Sequence, residues 1–185
     1  MPHPDLYERL ETLPSGVKGE IYNGQLHTKP SPPGAHVLAV SSLCAELSLA
    51  YRKQADTTAW WVLKEPEIHF KLDELVLVPD IAAWRKSSSP AIPHDHKFLT
   101  KPDWVCEVMS SETHHIEHQQ KVELYAEQGI AYFWRVYPER NVVETYALSS
   151  GKWFPSGEFC GNDVLYADPF LTLGISTTTA LGRDK

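Results

Sequence analysis

Residues 106–125, CEVMSSETHHIEHQQKVELY, begin as the end of an apolar strand and finish as a helix. Trp104, Val105, Cys106, Val108 and Met109 surround a single carboxylate, Glu107. A polar, histidine-rich loop follows, and then a helical segment carries Lys121 with Leu124 and Tyr125 on one face. A charge buried in a strand is expensive unless it is paired or binds a metal. Glu107 is therefore either the solvated position of an edge strand or part of a site. Lys121, fourteen residues later, is placed to return over the C-terminal end of that strand.

Outward from this stretch, breakers and periodicity set the rest. DLYERLETL (5–13) spaces Leu6, Leu10 and Leu13 as a helix that stops at Pro14. GEIYNGQLHT (19–28) has Asn-Gly between two alternating runs, a strong hairpin signal. Residues 35–53 hold Leu38, Leu43, Leu47 and Leu49–Ala50 with no breaker, predicting a long helix. TAWWVLKEPEIHFKL (58–72) and ELVLVPDIAAW (74–84) predict two strands joined at Asp73-Glu74, the first disturbed by Pro66. Residues 87–100 predict a loop, 103–109 a strand, and 115–129 a helix capped by Gly129. AYFWRVY and VVETYAL predict a hairpin across PERN, and the tail after Ser149 predicts two more short strands. The expected fold is mixed α/β, one sheet flanked by helices with an N-terminal β-hairpin. A single domain over 1–185 is expected, its core at about 18–148 and an extension at 149–185.

Composition narrows the classes. The chain of 185 residues is 42% hydrophobic and 22% charged, ordinary for a globular protein that needs no staples. No uninterrupted apolar run reaches the ~18 residues of a membrane span, and the acidic start lacks a signal peptide's apolar core. Cys44, Cys106 and Cys160 are odd in number and match no metal spacing, which suits a reducing cytoplasm. A formal charge of −7 argues against a protein that coats nucleic acid, though not against a local basic cleft.

Three carboxylates stand out: Glu20 in the first hairpin, Asp80 after Pro79, and Glu107. Carboxylate oxygens with a backbone carbonyl suit a hard cation such as Mg²⁺. Each also has a plainer explanation. Asp80 serves equally as a turn residue after proline, and Lys121 as a surface ion-pair partner of Glu117 four residues before it. His114 and His118 are spaced to grip zinc, but His115 occupies the position where the zincin pattern needs glutamate. His36, heading the long helix, is placed for substrate contact or for helix-end packing.

Five stretches in order, GEIYNGQL, PSPPGAH, LVPDIAAW, PDWVCEVMSSET and KVELYAEQGIAYFWRVYPERNVVETYAL, run from about 18 to 148. On these the chain resembles the Uma-two family of bacterial restriction-endonuclease-like proteins, within the PD-(D/E)XK nuclease superfamily. The resemblance implies a restriction-endonuclease-like fold and Mg²⁺-dependent (or Mn²⁺-dependent) hydrolysis of DNA phosphodiesters. It implies that Asp80, Glu107 and the main-chain carbonyl of Val108 ligate the metal, with Glu20 as an outer or water-mediated ligand. Many superfamily members carry the lysine two residues after the second acid, where this chain has Met109. The resemblance assigns that role to Lys121, on the next helix. Gln25 and Ser111 depart from the family's usual acidic residue and proline. Cleavage of both strands by so small a domain implies a two-fold homodimer. A non-catalytic binding or assembly module on the same fold is the alternative, because the basic residues Arg85–Lys86, Lys97, Lys101, Arg135 and Arg140 are scattered.

Overall fold

A computed structural model describes residues 4–29, 31–51, 59–89, 91–110 and 115–183, the side chains of 4–5 and 115–117 excepted. Helix α1 (Pro4–Glu11) precedes the hairpin β1 (Lys18–Tyr22) and β2 (Gln25–Lys29). That hairpin turns on Asn23 and Gly24, both at positive φ, as the Asn-Gly pair predicts. Helix α2 (Gly34–Tyr51) follows.

The next two apolar runs differ from expectation. They form four strands, β3 (Trp60–Lys64), β4 (Glu67–Lys71), β5 (Leu75–Leu77) and β6 (Ile81–Arg85), because Pro66 and Pro79 each interrupt a run. Proline lacks the N–H that a continuous ladder needs, so each run breaks there and its halves join different sheets. Only the β4–β5 turn sits where the Asp-Glu pair places it. The loop after β6 contributes β7 (Lys97–Phe98), paired parallel to β4. Then come β8 (Trp104–Val108), α3 (His115–Glu127), β9 (Tyr132–Tyr137) and β10 (Val142–Ser149). The tail forms one nine-residue strand, β11 (Lys152–Cys160), in place of two short ones, and a turn of helix, α4 (Thr177–Ala180).

The expected single sheet is therefore two mixed sheets. The first has the order β2-β1-β5-β4-β7, and the second β11-β10-β9-β8-β6-β3. Strand β8 lies between β6 (antiparallel) and β9 (parallel), and all five of its residues are buried. Glu107 is not on an edge strand. Alternation along β8 sends Trp104, Cys106 and Val108 to a core roofed by Ala39, Val40, Leu43 and Leu47 of α2. Trp104, Trp134 and Phe170 pack edge-to-face there, so the 149–183 segment is part of the main core. Val105 points to the opposite core, which joins Val122 and Tyr125 of α3 to Tyr22, Ile68 and Leu77 of the first sheet. Strand parity puts Glu107 on this second face. Helix α1 covers the far side of the first sheet with Tyr7 and Leu10 on Ile21 and Val76.

Helix α2 also departs from the sequence expectation about membranes. With Glu46 its one Asp, Glu, Lys or Arg, it is long and apolar enough to cross a bilayer by length and composition alone. Interspersed serines hide this from a search for unbroken apolar runs.

Candidate active site

The residues singled out in the sequence meet at the seam between the sheets. Residues 78–80 carry the chain from β5 of the first sheet to β6 of the second. The β6–β8 register pairs Ile81 with Cys106, so its next step sets Asp80 beside Glu107. Like charges so placed destabilise a sheet unless a cation lies near. Helix α3 turns His118, Lys121, Val122 and Tyr125 inward at i, i+3, i+4 and i+7, which brings Lys121 over Glu107.

Lys121 is 1% exposed. Its Nζ lies 2.6 Å from Glu20 Oε1 and 2.8 Å from Glu107 Oε1, and donates to the Val78 carbonyl at 2.8 Å. An ammonium has three hydrogens, and three acceptors surround this one. The plainer reading, a solvated pair with Glu117, does not describe so buried a group; the Glu117 side chain lies outside the described residues.

Each carboxylate is also held. Glu20 Oε1 accepts from the Val78 N–H at 2.7 Å. Its buried Oε2 has Lys29 Nζ 3.1 Å away, too poorly aligned to count as a hydrogen bond. Glu107 Oε1 accepts from the Tyr125 hydroxyl at 2.7 Å. Asp80 Oδ2 accepts from the Val108 N–H at 2.7 Å, and Oδ1 lies 3.2 Å from His36 Nε2. The Asp80 side chain is 18% exposed, against 5% or less for Glu20, Glu107 and Lys121, so the cluster opens to solvent at Asp80. A cleft of about 520 Å³ under Trp84 and Phe98 lies toward the other end of β6 and contains none of these residues.

The electrostatics differ from group to group. Burial alone would raise the pKa of Glu20, but Lys121, Lys29 and the Val78 N–H outweigh it and hold the group below its ordinary value. Burial also opposes ionisation of Asp80, and is overcome by His36, Lys121 and the Val108 N–H. Glu107 goes the other way: burial, reinforced by Asp80 and Glu20, prevails over Lys121 and raises it. For Lys121 burial favours the neutral amine, but Glu107, Glu20 and Asp80 prevail and push its pKa above the usual lysine value. Three acceptors around the Nζ favour the ammonium form.

Among the described residues no three His, Cys, Asp or Glu side chains gather as a metal cage. Glu20 is bracketed by two cations, Lys121 at Oε1 and Lys29 3.1 Å from Oε2, which leaves a narrower donor set than the resemblance implies: Asp80 and Glu107, with Val108 beside them. That set fits Mg²⁺, which takes one or two carboxylates and keeps several waters.

Tyr125 and Lys29 are partners that the motifs do not reveal, and Tyr125 is foreshadowed only by its i+4 spacing from Lys121. His114 of the proposed zinc pair lies outside the described residues. His118 is buried and accepts a hydrogen bond from Arg135 Nε at 3.2 Å, which requires a neutral ring. Burial, then the Arg135 and Lys121 cations, push its pKa down to about 3. The unfolded chain therefore holds the extra proton as pH falls below ~6.5, so stability is lost toward acid. We expect unfolding free energy to fall by about 1 kcal/mol per pH unit between roughly pH 6.5 and 5. His118→Gln should flatten that slope in denaturant titrations, and an unchanged slope would show that His118 does not carry it.

A family model described as "Putative restriction endonuclease" (Uma2) matches residues 4–180. A crystal structure from Anabaena variabilis, described as "a putative nuclease belonging to DUF820", superposes with a TM-score of 0.76 at 21% identity, over 96% of this chain and 97% of that one. At that identity the likeness is one of fold. A comparison with curated proteins gives no match. With nearly its whole length matched by the family model, the chain belongs to the Uma2 family and has a nuclease-like fold.

Proposed function

We propose that the protein is a metal-dependent nuclease that hydrolyses phosphodiester bonds of DNA, with Mg²⁺ or Mn²⁺ held by Asp80, Glu107 and the Val108 carbonyl. The observation that carries this reading is the buried Lys121 ammonium locked between Glu20 and Glu107, in a cluster whose most exposed carboxylate is Asp80. A bound divalent cation would polarise a phosphate oxygen and lower the pKa of a bound water. The chain's own groups prepare the place for that chemistry. His36 and the Val108 N–H fix the two oxygens of Asp80. Tyr125 and Lys121 fix Glu107 Oε1. Lys121, held as an ammonium by its three acceptors, sets a positive potential beside the site where phosphorane charge develops. Glu20 holds that lysine in place, and on this reading it is a positioning residue more than a metal ligand. Free Cys44, Cys106 and Cys160 support action in the reducing cytoplasm.

The test is cleavage of plasmid DNA in Mg²⁺ or Mn²⁺ against a chelator, with calorimetric metal titration in parallel. We expect wild type to bind metal and cut, and Glu107→Gln to lose both. Metal binding absent at millimolar concentration would instead favour the non-catalytic module, which the acidic net charge of −7 keeps in view.

A further inference from the structure

We infer that Lys29 is a substrate-binding residue, whose ammonium takes a backbone phosphate of the DNA beside the one that is cut. The inference rests on the nuclease reading and names the contact by which that site holds its substrate.

Lys29 ends β2, the edge strand of the first sheet. The hairpin register sets Glu20 opposite His27, so Lys29 stands diagonally across from Glu20 on the same face. Its Nζ comes within 3.1 Å of the buried Glu20 Oε2, while 44% of the side chain stays exposed. The charge so placed acts on Glu107 and His118 as well as on Glu20. In the first turn of α2, a short connection later, His36 meets Asp80. The segment from β2 to α2 thus brings one contact to Glu20 and another to Asp80. Solvent reaches the cluster at a carboxylate, Asp80, and at an ammonium, Lys29.

Glu20 has its structural cation without Lys29. Its Oε1 already takes the Lys121 ammonium and the Val78 N–H, so a single carboxylate serves two lysines. The two are held differently. Lys121 has an acceptor for each of its three hydrogens. Lys29 approaches Oε2 without the alignment of a hydrogen bond. The register also sets Lys29 directly opposite Lys18, and like charges so placed destabilise a hairpin unless anions lie near. Lys18 has Glu65, whereas Lys29 has only a share of Glu20 among the described residues. A half-exposed ammonium with a shared counter-charge suits a phosphate oxygen, which lysine binds as a point charge. Such a contact reads the backbone and not the base sequence.

Anisotropy of a labelled DNA duplex, titrated with the full chain in Ca²⁺ at several salt concentrations, reads the contact apart from cleavage. We expect Lys29→Gln to weaken binding about 10-fold. The plot of log K against log salt should become shallower by about 0.9, the share of one phosphate. Lys29→Arg should restore both. In Mg²⁺, Lys29→Gln should raise KM about 10-fold and leave kcat within about 2-fold, the mark of a contact made equally in the ground and transition states. Its melting temperature should stay within about 3 °C of wild type, because a half-exposed ion pair contributes little. Lys152→Gln, at an exposed lysine on β11, should change none of these. An unchanged salt slope in Lys29→Gln, an equal loss in Lys152→Gln, or a fall in kcat at constant KM would overturn the inference, with wild-type cleavage leaving the nuclease reading intact. Wild-type binding with the expected Lys29 dependence but no cleavage in Mg²⁺ or Mn²⁺ would end the nuclease reading and leave the phosphate contact in place. A wild-type chain that binds no DNA would overturn both.

Discussion

Lys121→Met is expected to lower the melting temperature by about 10 °C and to remove nearly all nuclease activity. Removing one partner of a buried ion pair costs about 3–5 kcal/mol, because the other charge is left uncompensated. Here two partners are stranded, Glu20 and Glu107, each within 3 Å of the ammonium. In a domain of this size each kcal/mol shifts the midpoint by roughly 2–4 °C. Part of the cost is relieved when Glu107, already raised, takes up a proton. The activity loss, about 10²–10³-fold, has a separate cause: the positive potential beside the developing phosphorane is gone. The two causes separate in the triple variant Lys121→Met/Glu20→Gln/Glu107→Gln. It should regain much of the lost melting temperature and none of the cleavage. Thermal melts that leave Lys121→Met within about 2 °C of wild type would mean that the ammonium does not hold the seam.

Asp80→Ala is expected to abolish metal-dependent cleavage, by at least about 10³-fold, with little change in stability. Asp80 is the cluster's most exposed carboxylate and one of only two left free to face a cation once Glu20 is committed to Lys121. Its loss removes a hydrogen bond to the Val108 N–H and a contact with His36, a deletion worth about 1–2 kcal/mol at a partly solvated position. It also removes a negative charge that disfavours ionisation of Glu107, which offsets some of that cost. Calorimetry with Mn²⁺ should show the binding isotherm collapse while the far-ultraviolet spectrum is preserved. Cleavage at the wild-type rate by this variant would take Asp80 out of the site.

Much of this was legible in residues 106–125 alone. A carboxylate flanked by Cys106 and Val108 can be burial or an edge, and only the partner strands decide. What the sequence could show was that a helix bearing Lys121 returns toward the end of that strand. It could not show which carboxylate the lysine would choose. Glu20 lies about a hundred residues away in sequence and reaches Lys121 only because β1 pairs with β5, whose end leads straight into Val78. The division into two sheets was hidden for a related reason. Pro66 and Pro79 read locally as disturbances of a strand, but whether the chain resumes in the same sheet or another depends on which edges are open. The long helix α2 sits where the leucines without a breaker place it, and Leu43 and Leu47 face the core while Leu38 and Leu49 do not. The tail was the least legible part. Its glycines and prolines suggested short strands, while the partner of β11 is the whole length of β10.

The way Lys121 is held also bears on how this family could change. Its three acceptors come from β1, from the crossover at Val78, and from β8, so one side chain fastens the first sheet, the second sheet and the helix above them. Charged sites are usually maintained against the stability of the scaffold around them. In this chain the same ammonium closes the architecture and charges the site. Drift that relaxes the site also loosens the fold, so a descendant that has lost cleavage would still be under pressure to keep the lysine and its glutamates. On the nuclease reading that triad serves architecture and chemistry together, whereas Asp80, more exposed and less tied to the scaffold, serves chiefly the chemistry.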